Sequence, residues 1–147
     1  MEYRIANDND ISLLAELNAQ MIQDEGHQNK MSVFELEQRM KDWLEKSYQA
    51  VIFEDNNELV AYVLYREADE GWEGPAGGIY IRHFFVVRHR RREQLGTNIF
   101  AILRNKIWNE GCRITLEVLI PNNRARAFWE ALGFREYCIT YELHQEN

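Results

Sequence analysis

FFVVRHRRREQLGTNIF, residues 84–100, begins as an apolar, β-favouring run and breaks into three consecutive arginines. It then passes a single glycine, and an amphipathic pattern starts at once. Ile99, Phe100, Leu103 and Ile107 recur three or four residues apart, the period of one helix face. The stretch reads as a buried strand, a tight basic loop and a helix whose first turn faces that loop. The first N–H groups of a helix lack intrahelical acceptors and lie at the positive end of its dipole. Such a unit is an anion site, best matched by phosphate.

Upstream, residues 78–87 complete the strand, and residues 68–78 form a loop with four glycines, Pro75 and acidic residues around Trp72. Residues 48–55 and 58–66 are β-rich runs joined at Asn56-Asn57, a pair that tolerates the positive φ of a tight hairpin. Before them, Ser32 and Glu35 have capping-box spacing, with Met31 and Leu36 placed as a hydrophobic staple. Leu36, Met40, Trp43 and Leu44 then form an apolar helical stripe. An earlier helix carries Ile11, Leu14, Leu17 and Met21 on one face, with Asp8 or Asp10 as its cap. Residues 2–7 alternate as a short strand. Downstream, Gly111 stops the central helix, and residues 113–119 form a strand with Ile114, Leu116 and Val118 on one face. Asn122 or Asn123 caps a short helix that ends at Gly133. Residues 135–143 alternate Tyr137, Ile139, Tyr141 and Leu143 as a last strand. The order β-α-α-β-β-β-α-β-α-β implies an α/β (mixed α+β) fold. Its central mixed sheet has about six strands and is flanked by four helices, in a single domain over residues 1–147.

At 147 residues, 46% hydrophobic and 28% charged, the chain has the length and composition of one soluble globular domain. Its formal charge of −7 argues against a general nucleic-acid or membrane-surface binder; it suits a cationic substrate such as an amine, and a solvated acidic surface explains it equally well. Cys112 and Cys138 fall in expected strands without metal-ligand spacing. They read as buried free thiols in a reducing compartment, and no metal is expected. No signal peptide is seen and no apolar run approaches the roughly 20 residues of a membrane span, so a cytoplasmic protein is expected.

Two segments narrow the ligand. The first is Val86-x-x-x-x-Arg91-Arg92-Glu93-Gln94-Leu95-Gly96. The second is Glu117-x-x-x-x-Asn122-x-x-Ala125-x-x-Phe128-Trp129-x-x-x-Gly133-Phe134. Together they resemble the coenzyme-A-binding motifs of the GNAT family of N-acetyltransferases, whose element order is also the one above. The resemblance covers nearly the whole chain. It implies acetyl-CoA as co-substrate and direct acetyl transfer to a primary amine of a small molecule or peptide. Phe84, Phe85 and Val86 would offer a strand edge to the amide-like pantetheine arm, where their strand splays from residues 114–119. The loop from Arg91 through Arg92, Glu93, Gln94, Leu95 and Gly96 to Thr97 would hold the pyrophosphate. Each backbone amide given to a charged oxygen there contributes roughly 1.5–3 kcal/mol. The resemblance places Asn122, and with it Ala125, Phe128 and Trp129, on the cofactor from the other side of the splay. A backbone N–H near Val86 would polarise the carbonyl.

Glu117 falls where N-terminal protein acetyltransferases of this family carry a general base. A carboxylate half-buried between strands has its pKa raised toward neutrality, which suits it to deprotonate an ammonium. His83, His27 or a water chain compete for that role. The acceptor is expected over the first two helices, the 24–30 turn and the 68–77 loop, near Glu25, His27 and His83. Asp69, Glu70 and Glu73 could attract a cation there, or be solvated surface charge.

The sequence departs from the family pattern in two places. Gln94 stands at the first glycine of the R-x-x-G-x-G loop, where a positive φ costs a non-glycine residue roughly 1 kcal/mol. Trp129 stands where many members carry a tyrosine that returns a proton to the leaving thiolate. Indole N–H is too weak an acid for that, which passes the role to Tyr137, Tyr141 or water, or to no group at all. Only one strand is expected after Gly133-Phe134, where the family often has two, so the last sheet edge is open or pairs with a second subunit in a homodimer. Two other readings compete. One is a coenzyme-A-binding regulatory module without catalysis, the other an RNA-binding protein using Arg90, Arg91 and Arg92; neither nucleic acid nor membrane is the expected partner.

Overall fold

Asn56 and Asn57 adopt φ of 53° and 64°, the left-handed pair that a two-residue hairpin needs. They fold β2 (Gln49–Asp55) onto β3 (Glu58–Glu67) in antiparallel register. β1 (Glu2–Ile5) adds antiparallel to β2, and β4 (Ile79–Val86) adds antiparallel to β3. β5 (Ile114–Leu116) then pairs with β4 in parallel, giving a mixed five-stranded sheet in the order β1-β2-β3-β4-β5. This computed structural model describes residues 1–26, 29–91 and 94–145. The chain divides into two compact units, Met1–Glu117 and Val118–Asn147.

Between β1 and β2 the chain builds α1 (Ile11–Asp24) and α2 (Val33–Lys46). α2 starts on the expected capping box: Ser32 Oγ accepts from the Glu35 N–H, and the Glu35 carboxylate accepts from the Ser32 N–H. The entry to α1 differs. Asn7, not Asp8 or Asp10, caps a 3-10 turn at Asp8–Asp10 that leads into the helix. Asp10 is taken up elsewhere, accepting two hydrogen bonds of 2.8 Å from the Arg4 guanidinium and one from the Asn7 N–H.

Leu14, Leu17, Met21 and Met40 of the helices meet Ile52, Tyr62, Leu64 and Phe85 on one face of the sheet. Burial of each large apolar side chain contributes on the order of 1.5–3 kcal/mol. Tyr65 alternates with Leu64 and points to the opposite face. There it meets Trp108 edge-on at 5.3 Å, at the end of α3 (Leu95–Ile102) and its widened π turn Leu103–Ile107. Helices thus cover both faces, as expected.

In the second unit, α4 (Asn123–Ala131) is capped by Asn122 and terminated by Gly133 at φ 101°. Residues 135–145 form no strand, so the sheet has five strands rather than six. Ile139, Tyr141 and Leu143 of the alternating run remain exposed. Alternation specifies a strand only where a neighbouring edge supplies backbone partners. β5 is shorter than expected for the same reason of pairing, since its ladder stops at Leu116. Cys112 lies before β5 and is partly buried, and Cys138 lies in the strandless segment and is exposed, so neither is a buried strand thiol. No helix among the described residues is long and apolar enough to cross a membrane.

Candidate active site

β4 enters the basic loop through a 3-10 turn at Arg88–Arg90. Arg90 pairs with Asp55 at 2.7 Å and with Glu58 at 3.2 Å, both at the β2–β3 hairpin. Arg91 donates from Nε to the Val86 carbonyl at 2.9 Å and reaches Asp24, the last residue of α1, at 2.9 Å. These side chains fold the loop back onto the sheet and α1. Arg92 and Glu93 lie outside the described residues. Gln94 then sits in the left-handed region, φ 59° and ψ 20°, and opens α3 without a side-chain cap. Asn98 N–H donates to Gln94 O at 3.1 Å. The N–H groups of Leu95, Gly96 and Thr97 precede that bond and point out of the helix end.

The β4–β5 ladder covers only Ile79, Ile81 and the residue between them, against Ile114–Leu116. Val87 N–H donates to Val60 O, so by alternation Phe85 faces β3, while Phe84 and Val86 turn their N–H and C=O to the β5 side. Phe85 contributes a ring buried in the core. Glu117 directly follows β5. Because the strand has already ended it is exposed rather than half-buried, and it accepts a hydrogen bond from the Tyr80 hydroxyl at 2.8 Å. Burial, and then this bond to Glu117, raise the Tyr80 pKa above its ordinary value.

A β-bulge interrupts β4. Its register against β3 jumps from His83↔Leu64 to Ile81↔Tyr65, which sends consecutive residues Arg82 and His83 to the same side, and both reach Trp43 of α2. His83 is buried, with Nδ1 3.0 Å from the Tyr62 hydroxyl. Burial, then the charges of Arg39 and Arg82, push its pKa down to about 3. An imidazole held neutral in this way is a weak base for an ammonium proton. Glu25 is exposed just past the end of α1, and His27 lies outside the described residues.

Aromatic and cationic side chains gather between α2, β3 and β4. Arg66 lies 4.7 Å from the Tyr80 ring centroid and 5.6 Å from that of Tyr48, and grips Glu73 through two hydrogen bonds of 2.8 and 2.7 Å. Glu73, considered above as a surface charge, is 6% exposed and also accepts from the Asp69 N–H. Arg82 donates to the Tyr48 hydroxyl at 3.3 Å, and Trp72 meets Tyr80 edge-on at 5.9 Å.

In the second unit, the Asn122 side chain accepts from the Ala125 N–H at 3.1 Å. Trp129 is buried, edge-on to Phe128 at 4.9 Å and to Phe134 at 5.1 Å, a packing role. Tyr137 and Tyr141 lie in the strandless segment and are exposed.

The sequence profile of the acetyltransferase (GNAT) family matches residues 14–134. The chain belongs to that family. Solved structures carry the same fold at low identity. A predicted acetyltransferase with acetyl-CoA from Clostridium acetobutylicum is 22% identical with a TM-score of 0.74, over 97% of this chain and 95% of that one. Aminoglycoside N-acetyltransferase AAC(6')-Iy in complex with CoA is 13% identical with a TM-score of 0.76, over 99% and 95%. A ribosomal-protein-alanine N-acetyltransferase from Brucella melitensis biovar Abortus is 14% identical with a TM-score of 0.70, over 99% and 100%. No curated protein matches the chain. Within the GNAT fold of this protein, Trp43, Tyr80 and Arg82 carry no motif of their own. Trp43 reads as one more apolar position on the stripe of α2. The one sequence signal was Arg82, a cation interrupting an otherwise apolar strand.

Proposed function

We propose that this GNAT protein transfers an acetyl group from acetyl-CoA directly to a primary amine of a small molecule or peptide, without a covalent enzyme intermediate. The observation that carries this reading is the end of the β4–β5 ladder at Ile81 and Leu116. It directs the Val86 N–H to the β5 side beyond the last rung, and sets Glu117, bonded to Tyr80, one residue past it. The cofactor choice is supported by the acetyl-CoA and CoA complexes among the fold neighbours.

Acetyl-CoA, when bound, supplies the thioester carbonyl that the amine attacks. The N–H groups of Leu95, Gly96 and Thr97 hold the pyrophosphate at the head of α3, and the Val86 N–H stabilises charge developing on the carbonyl oxygen. Glu117 takes the ammonium proton, oriented by Tyr80. The RNA reading loses support because Arg90 and Arg91 already pair with carboxylates.

Single-turnover release of the coenzyme A thiol with a panel of primary amines tests the proposal. We expect release above background for at least one amine. Gly96→Asp, which sets a carboxylate beside the pyrophosphate, should abolish acetyl-CoA binding in a protein that remains folded by circular dichroism. Tight binding with no release for any amine would leave the inactive module, and unchanged affinity in the variant would mean that the loop is misassigned.

A further inference from the structure

Arg39 on α2 and Arg82 on β4 both lie 4.6 Å from the Trp43 ring centroid, so at most twice that distance separates the two guanidinium carbons. Their neighbour Arg66 shows how this fold neutralises a cation, with a two-pronged bond to Glu73. Neither Arg39 nor Arg82 has such a partner. Arg82 donates to the Tyr48 hydroxyl and Arg39 to the Asn18 side chain at 3.0 Å, and among the described residues no carboxylate comes within ion-pair distance of either. The Arg39 Nε–H is buried with no acceptor among the described residues. Buried donors left without acceptors are costly, and two like charges held on one ring repel. Burial, and then the Arg82 charge, accordingly lower the Arg39 pKa. A carboxylate would offset the repulsion between the two guanidinium groups, whose forked N–H donors match its two oxygens.

The position matters as much as the charge. Arg82 is exposed, and it lies two residues along β4 from Tyr80, whose hydroxyl holds Glu117. Two strand residues span about 6–7 Å, so one small molecule can reach both ends. We propose that Arg39 and Arg82, braced on Trp43, bind a carboxylate of the acceptor while Glu117 receives its amine: the substrate class is amino acids and related amino carboxylates. The assignment rests on the acetyl-transfer reading for the amine end, and on the arginine pair alone for the carboxylate end.

The test compares each amino acid with its amide, which removes the negative charge and also lowers the pKa of the amine, so kcat/KM is compared at a pH above both amine pKa values. With acetyl-CoA saturating, the preferred acid should exceed its amide at least tenfold in kcat/KM. Arg82→Gln should collapse that ratio to within about twofold, and Arg82→Lys, which keeps the charge but not the fork, should restore part of it. Amides turned over as well as acids would overturn the carboxylate site and leave acetyl transfer standing. If no amine is acetylated, occupancy is read directly by NMR of the arginine Nε–H resonances in the coenzyme A complex. Glutarate and its diamide then serve as probes. Shifts at Arg39 and Arg82 with glutarate only, lost in Arg82→Gln, would sustain the site without the transfer reading; no shift with either would end it.

Discussion

At Gln94 the backbone occupies a region where an L side chain crowds the following carbonyl oxygen, a cost of roughly 1–2 kcal/mol that glycine does not bear. Gln94→Gly removes that crowding but gives the unfolded chain more freedom. We expect a net gain of about 0.5–1 kcal/mol in urea unfolding, with acetyl-CoA affinity held or tightened because the three N–H donors are backbone groups. A variant less stable than the parent would show that the side chain makes a compensating contact. This strain was legible beforehand, because the loop motif has a glycine where the chain has Gln94. Glu73 was not legible. In a glycine-rich acidic loop it reads as surface charge, and only the return of the loop onto β3 brings Arg66 to it across seven positions of sequence.

β4 carries the chemistry at the level of elements, since its bulge, its shortened ladder with β5 and its exit into the basic loop all fall within eight residues. If Glu117 is the base, Glu117→Gln should lower turnover mainly below the pKa of the acceptor amine, where the substrate is an ammonium, and approach the parent above it. General bases contribute roughly a hundredfold or more, and the loss should be of that order. Tyr80→Phe, which removes only the orienting hydrogen bond, should cost less than tenfold and keep the shape of the profile. A pH–rate profile unaltered in Glu117→Gln removes Glu117 from the mechanism. The apolar run of β4, the Asn56-Asn57 hairpin and the Ser32–Glu35 cap were readable because each depends on residues close in sequence. The bulge at Arg82 and the early end of β5 were not. Both are set by which strand lies alongside, and local alternation carries no record of that.

For the molecule as a whole, the buried groups among the described residues that titrate in acid are His83, Asp10 and Glu73. His83 has its pKa pushed down to about 3 in the folded protein, mainly by burial, against about 6.5 in an unfolded chain. The unfolded state therefore binds the extra proton first, and stability falls as pH drops below about 6.5. Asp10 is held below the ordinary carboxylate range by its hydrogen bonds with Arg4. Burial alone would raise Glu73, but the hydrogen bonds from Arg66 and from the Asp69 N–H hold it low as well. A depressed carboxyl stabilises the fold above its unfolded pKa, here near 4, and that contribution is lost as pH falls through the folded value. The imidazole loss therefore runs from about 6.5 down to about 3 and stands alone above about 5, and the carboxyl ion pairs add a second loss at lower pH. Urea midpoints measured from pH 7.5 to 3.5 should decline across both ranges for the parent chain. In His83→Gln the upper decline, between about 6.5 and 5, should flatten while the lower one persists. The comparison uses the slope with pH rather than absolute stability, so a destabilised His83→Gln protein still reports on it. A variant that retains the full upper slope would place the titrating group elsewhere and would reopen His83 as a proton acceptor beside Glu117.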